Sequence, residues 1–506
     1  MSEQSNKRIA KNTLFLYIRM AIVMAINLYV TRVVLDVLGV SDYGIYNVVC
    51  GFVSMFGFLN TSMANGIQRF YNFELGKNGE DAVVKVYNTA LIIQFVLAIS
   101  IVILTETVGL WYVNTKMVIS PDRMLAANWI FQFSVISLIF VIIQIPYSAA
   151  ILAYEKMDYY AIVSIIDAAM KLAIVFVLPH LSGDSLILYG LMTLFISILN
   201  FILYSGYCRK KFKHLRFKKT FDKSQFKSMM SFSGWNLFGS FAYILKGQGV
   251  NVLINAFFGT LVNAANGVAT QISSAIQTFS ANIVLAFKPQ LTQSYAKGEY
   301  ARTELLMNAM SKISFILVCI IAIPVMLDIE FILKIWLGSN IPDHTVVFTR
   351  LTIITMMISV LNTPITQVIH ATGKMKKYQL VTSCIICSIL PISWLFLKLE
   401  FPAESVFYIG IVITIINQII CVWVLKTIFD YNIIKYIREV VLFCSLILIA
   451  PLLAPNFIVE YFSEGIVRFI MIFIINLILV CASAYILLRK DEKVKISQIT
   501  KKILNK

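Results

Sequence analysis

Residues 146–160 read PYSAAILAYEKMDYY, and residues 364–378 read PITQVIHATGKMKKY. Set one above the other without a gap, they share Pro146/Pro364, Ala153/Ala371, Lys156/Lys374, Met157/Met375 and Tyr160/Tyr378. At almost the same offset Gly39 falls on Gly259, Val48 on Val268 and Lys77 on Lys297, so that a Lys-Asn-Gly-Glu faces a Lys-Gly-Glu. Two matches in nearly one register mark a duplicated chain. Duplicated bundles of helices are a signature of secondary transporters.

The composition around these repeats fixes the solvent. Of 506 residues, 59% are hydrophobic and 14% charged, against roughly 45–50% and about 25% in soluble domains. A mean hydropathy of +0.81 excludes a cytosolic globular enzyme and calls for a bilayer. At about 20 apolar residues per spanning helix, breaks at charged, Pro and Gly clusters give fourteen candidate spans, near 13–34, 43–63, 84–106, 125–147, 159–179, 185–206, 229–256, 262–287, 305–328, 346–369, 379–397, 405–426, 438–455 and 465–488. The runs are long and do not alternate, and only helices or closed barrels satisfy their backbone in lipid. The fold class is therefore an all-α membrane protein of two parallel six-helix repeats plus two C-terminal helices. Its expected parts are an N-terminal lobe (1–206), a basic linker (207–228), a C-terminal lobe (229–430), and two further helices with a basic tail (431–506).

Forty-three Lys and Arg against 26 Asp and Glu give a net charge of +17, and its placement matters more than its size. The basic residues crowd alternate loops, above all RKKFKHLRFKK at 209–219, and leave Lys116, Arg123, Lys334 and Lys398 on the other side. The positive-inside rule then puts both termini and the 209–219 loop in the cytoplasm, where that loop serves as an anchor on anionic lipid or as a docking segment. No nucleic-acid partner is called for. The eight cysteines lie in or beside apolar runs, which argues against a disulfide framework. Cys384 and Cys387 sit in an apolar run without a second pair, so no metal site is assigned. The four histidines are scattered, and no P-loop, dinucleotide fingerprint or HExxH motif is present. The expectation is a non-enzyme without a cofactor, driven by a gradient.

Ionisable groups within spans cost about 2.5–3.5 kcal/mol each on insertion scales, which makes them functional candidates. Arg19, Arg32, Lys171, Lys246, Lys312, Arg350 and Arg468 fall inside the drawn spans, against Asp167 near mid-depth and Glu106 and Asp328 near span ends. A net-positive cavity suits an anionic cargo, and a phosphate or pyrophosphate is the commonest group that Arg grips through two parallel hydrogen bonds. Arg32, Lys312, Arg350 and Arg468 lie close enough to span ends to snorkel. Asp167 and Lys171, four apart on one face, either neutralise each other as a packing element or answer to protons or sodium. Arg19 and Lys246 stand well inside their runs with no acid three or four positions away. Gly247 and Gly249 flank Gln248 and weaken the helix there. With Asn251, Asn255, Asn263, Asn266 and Gln271 they give the seventh and eighth spans polar groups that either glue helices together or line a wet cavity for a hydroxyl-rich cargo. The candidate substrate-binding set is Arg19, Arg32, Lys246, Gln248, Asn251 and Gln271.

The stretch Arg32-Val-Val-Leu-Asp-Val-Leu-Gly39-Val-Ser-Asp42-Tyr43-Gly44-Ile-Tyr46, with Gln68-Arg69-Phe70, Phe232-Ser-Gly-Trp235, Phe257-Phe-Gly259, Pro289-Gln290 and Lys297-Gly-Glu, resembles Wzx-type polysaccharide exporters. Their superfamily also holds lipid II flippases and multidrug antiporters, and the resemblance runs from about residue 10 to 430. It implies two six-helix bundles in a V, alternating access, and a location in the bacterial inner membrane. The implied cargo is an undecaprenyl-pyrophosphate-linked oligosaccharide destined for O-antigen or capsule. Arg19 and Lys246 correspond by span to cavity positions that hold the pyrophosphate. Membrane lipids, a polysaccharide polymerase and glycosyltransferases are the implied partners. A multidrug antiporter and a lipid II flippase are the alternatives on the same scaffold.

Overall fold

The computed structural model describes residues 2–488, apart from 55, 116, 118, 219–221, 338–340, 430 and 454–460, together with residue 493. Throughout the described residues the chain is helical, without a strand. The helices are α1 (Ser2–Ser54), α2 (Gly57–Lys77), α3 (Glu80–Thr115), α4 (Met124–Ala153), α5 (Met157–Val177), α6 (Ser185–Lys211), α7 (Lys223–Ala296), α8 (Tyr300–Leu327), α9 (Ile329–Leu337), α10 (Thr345–Thr372), α11 (Met375–Lys398), α12 (Ser405–Phe429), α13 (Ile433–Leu453) and α14 (Ile466–Leu487). Among the described residues, 11 helical stretches are long and apolar enough to cross a membrane. The first, second and eighth expected spans are helical too but fall outside those 11. Two of them are conspicuously polar: α2 carries Asn60, Asn65, Gln68, Arg69, Asn72, Glu74 and Lys77, and the stretch after Gly259 carries Asn263, Asn266, Gln271 and Gln277.

Local chemistry explains the breaks. Gly39 (φ 75, ψ 166) interrupts α1 and Gly259 (φ 80, ψ −173) interrupts α7, in a region of the backbone map that is essentially closed to other residues. These are the two glycines that the repeat superimposes. Gly79 (φ 82) and Gly298 (φ 77) match once the extra Asn78 is passed over, and Glu155 (φ 57) falls on Gly373 (φ 77). Asp184 caps α6 by accepting from the Leu186 and Ile187 amides, and Asp222 caps α7 by accepting from Gln225. Arg209, Lys210 and Lys211 close α6 at the negative end of its dipole.

Two compact units emerge. The first contains residues 1–240 and 288–299, the second 241–287 and 300–506. In the first unit, Ile130, Phe131, Val135 and Ile142 of α4 pack with Leu186, Tyr189 and Ile196 of α6, Ile174 and Val175 of α5, and Val30 and Val34 of α1. Outward residues such as Phe95, Val96, Ile99 and Ile103 on α3 are exposed and apolar, as a lipid-facing surface demands. The same unit binds both outlying pieces of α7. Gly66 brings α2 so close to α7 that a Cβ would stand 2.7 Å from the Ser233 hydroxyl, and one on Gly76 would stand 2.6 Å from the Gln293 carbonyl. Lys288 donates to Asn65 at 2.7 Å and Gln290 donates to Glu155.

In the second unit, α8 packs against α10, α10 against α12, and α14 against α8. Asn476 of α14 donates to the Cys319 and Ile320 carbonyls of α8, and Arg468 pairs with the buried Asp328 carboxylate. The two C-terminal helices are thus part of the second unit's core.

Candidate functional site

The polar groups of the first unit collect on α5. Tyr160, Ser164, Asp167 and Lys171 follow one another at spacings of four, three and four, which aligns them on one helix face. Arg19 of α1 lies over this stripe, its guanidinium carbon 4.9 Å from the Tyr160 ring centroid. The half-buried Arg19 has its Nε buried without a hydrogen-bond partner among the described residues, a costly state unless the guanidinium is offered to something else. Tyr204 of α6 stands 6.4 Å from Tyr160, ring to ring. Two turns along, Asp167 accepts from Lys171 and from Asn200 of α6, both at 2.7 Å. Arg19 and the Asp167–Lys171 pair, separate in the sequence, thus share one polar seam. Its formal charge is +1, from two cations and one anion.

The second unit carries the other candidates. Lys246 is half-buried on α7 and makes no ion pair among the described residues. Gln248 and Gln271 are exposed and Asn251 is half-buried, and Asn266 donates to the Asn251 side-chain oxygen. Gly249 serves close packing: a Cβ there would stand 2.6 Å from Leu390 Cδ2 on α11, which orients this part of α7 against α11. The structure therefore groups Arg19 with Asp167 and Lys171 in one unit, and Lys246, Gln248, Asn251 and Gln271 on α7 of the other. The side chain of Arg32 lies outside the described residues.

Three of the basic residues near span ends have partners inside the protein. Arg468 donates to Asp328 and to the Phe462 carbonyl, Arg350 donates to the Met326 carbonyl at 3.2 Å, and buried Lys312 sits 4.7 Å from the Phe443 ring centroid. They tie helices together in place of snorkelling. Sequence reasoning missed Asn200, which looks like an isolated polar residue in an apolar run. It also missed Tyr160 and Tyr204, whose place at the site shows only once Arg19 is seen over the Tyr160 ring and Tyr204 beside it. Two further buried cations escaped it: Lys288, one residue past the expected eighth span, and Arg69, stacked among Phe70, Phe73 and Phe232 at 4.7, 5.0 and 5.3 Å.

Outside the lipid-crossing segments, Asp184 meets Arg123, which also pairs with Asp42. Burial pushes the Asp184 carboxyl up, but the Arg123 hydrogen bond and the two helix amides outweigh it and hold the group below the usual carboxylate range. Glu464 is held low by its hydrogen bond from Lys334.

This architecture matches the fold of solved MATE transporters. A solved outward-facing conformation of a multidrug resistance MATE family transporter of the MOP superfamily superimposes with a TM-score of 0.74 at 10% identity, over 84% of this chain and 96% of the other. A MATE protein solved in its bent conformation also gives 0.74 at 10% identity, over 84% and 96%. A MOP superfamily transporter from Pyrococcus furiosus, described as having a binding pocket of reverse polarity that suggests a different function, gives 0.71 at 10% identity over 84% and 96%. The sequence matches no family model, and no curated protein matches it significantly.

Proposed function

We propose that the chain is a secondary transporter that flips undecaprenyl-pyrophosphate-linked oligosaccharide from the inner to the outer leaflet of the bacterial cytoplasmic membrane by alternating access, for O-antigen or capsule synthesis. The observation that carries this reading is the sign of the uncommitted polar groups. Among the described residues, Arg19 offers a buried Nε without a hydrogen-bond partner, Lys246 has no acidic partner, and the acid of the α5 stripe is already engaged by Lys171 and Asn200. Such cations grip a pyrophosphate, while Gln248, Asn251 and Gln271 hydrogen-bond sugar hydroxyls. Asp167 and Lys171 answer to the coupling ion. In this reading both termini and the 209–219 loop face the cytoplasm, and polymerase and glycosyltransferases act on either side of the step.

A cation-coupled multidrug antiporter is the second reading, favoured by the multidrug description of the solved neighbour. Its cationic cargo needs a cavity acid, and Asp167 is the candidate. The two readings separate in a deletion strain probed with an oxidant of sugars that does not cross the membrane. Lipid-linked oligosaccharide shielded on the inner leaflet, relieved by the intact gene but not by Arg19→Ala or Lys246→Ala at equal protein level, supports the flippase. Full export by the double variant sinks it, and altered sensitivity to cationic dyes without shielded glycan selects the antiporter.

A further inference from the structure

The loop-side end of the first unit holds a cavity of about 430 Å³ that none of the chemistry above uses. Arg8 and Lys11 from the start of α1, Lys156 from the α4–α5 turn and Lys211 from the end of α6 converge on it, with Asn12 at its wall. An aromatic clasp holds these pieces together. Phe212 stacks on Tyr154 with centroids 4.4 Å apart, and the Tyr154 hydroxyl meets His214 Nε2 at 2.7 Å. The clasp folds the beginning of the basic loop back onto the turn.

Three carboxylates share the lining with these four cations, which leaves a formal charge of +1. Glu155 accepts from Gln290 and faces Arg8 at 3.9 Å. Asp158 accepts from the Tyr159 amide at 2.9 Å, and Glu80 lies 3.8 Å from His214 Nδ1. Lys11, Lys156 and Lys211 make no ion pair among the described residues. Asn12 is only 4% exposed, yet its Nδ2 has no hydrogen-bond partner among the described residues. A buried donor left unpaired costs free energy, and here it lines the same cavity as three ammonium groups that are outside any ion pair among the described residues.

The turn itself carries strain. Glu155 adopts φ 57 where its repeat counterpart Gly373 adopts φ 77. A non-glycine residue there costs about 1–3 kcal/mol and persists where the surroundings over-determine it. With a glutamate in place of glycine, the turn gains a carboxylate that holds Arg8 at the cavity edge.

We propose that this cavity binds a phosphate group, the chemistry matched by three lysines outside any ion pair, a net positive lining and a buried amide donor. The group comes either from a soluble phosphate or from the headgroup of an anionic lipid, and the site does not depend on which cargo the transporter carries.

The test uses the purified full-length chain in detergent at constant ionic strength, titrated calorimetrically with sodium pyrophosphate and, separately, with short-chain dihexanoyl-phosphatidylglycerol below its micelle concentration. Saturable binding of at least one probe is expected, weakened about tenfold or more by Asn12→Leu and by Lys156→Gln with Lys211→Gln. Lys213→Gln with Arg216→Gln, in the same basic loop but outside the cavity, leaves it unchanged. Pyrophosphate binding identifies a soluble source, and binding of the lipid alone identifies a headgroup. No saturable binding of either probe overturns the proposal, as does an equal loss in the outside pair, which marks mere surface charge. Should Asn12→Leu fail to fold, the lysine pair decides alone.

Discussion

Arg468 and Asp328 test how the last helix is held. The Arg468 side chain is 9% exposed and the Asp328 side chain 1%, so removing one partner strands a charge in a place water does not reach. Breaking such a pair costs about 3–5 kcal/mol, whereas replacing both partners by apolar residues of similar volume is often neutral or stabilising. Arg468→Leu and Asp328→Leu should therefore each destabilise the second unit by roughly 3–4 kcal/mol. On the scaling of cooperative units of about 150–250 residues, that lowers Tm by about 6–16 °C. The double substitution should restore most of the loss, to within about 1 kcal/mol of the parent, which makes the coupling energy about 5–7 kcal/mol. Thermal release of the buried thiols Cys319, Cys421 and Cys444, all in the second unit, reads the transition through a thiol-reactive dye. The exposed Cys384 and Cys481 are first replaced by serine. Single variants melting within about 2 °C of the parent, or a double variant bearing the sum of both losses, would refute the argument that this is a desolvated pair.

A Cβ added to Gly76 would stand 2.6 Å from the Gln293 carbonyl, whereas one added to Gly206 would meet nothing within 4 Å. Gly76→Ala should thus cost about 1–3 kcal/mol by overpacking, while Gly206→Ala should be neutral or stabilise by up to about 1 kcal/mol, both read as shifts in Tm. Because the Asp184 carboxyl is held low in the folded chain, its contribution is fully present above the ordinary value near pH ~4 and is lost as pH falls through the lowered one. Melting should be flat between about pH 7 and pH 5 as far as this group is concerned, then drop in acid. Asp184→Asn keeps the helix cap, loses about 0.5–1 kcal/mol at neutral pH and abolishes that share of the acid drop. Asp167→Asn should leave protein levels near normal, since a helical ion pair of this spacing contributes only about 0.5 kcal/mol. It should also flatten the dependence of transport on proton or sodium gradients in proteoliposomes, and an unchanged gradient dependence assigns the pair to packing.

Hydropathy located the helices well because lipid imposes one rule on every span, and the internal match picked out positions whose backbone proved equivalent, Gly39 with Gly259 above all. Side-chain partnership was much less legible. Asp328 and Arg468 lie 140 residues apart, and nothing in the local pattern of either shows that a span-end cation meets a buried acid. The same holds for Asn200 and Asp167, which come from neighbouring helices whose relative rotation is set by packing. The assignment of residues 288–299 to the first unit was invisible for a related reason. A run such as Val-Leu-Ala-Phe-Lys288-Pro-Gln290 looks like the end of a span, and only Asn65 and Glu155, far off in sequence, reveal what the lysine and glutamine are for.

The one-residue joints at Gly39 and Gly259 have a practical consequence for handling this protein. Each connects two helices without a loop, so neither offers a protease an extended segment to grip, nor an epitope tag or fluorescent insert a place to enter. Sidedness mapped through those two connections would come back blank whichever way the chain faces. The connection around Gly183, whose backbone is exposed and non-helical between α5 and α6, is the place to insert a reporter.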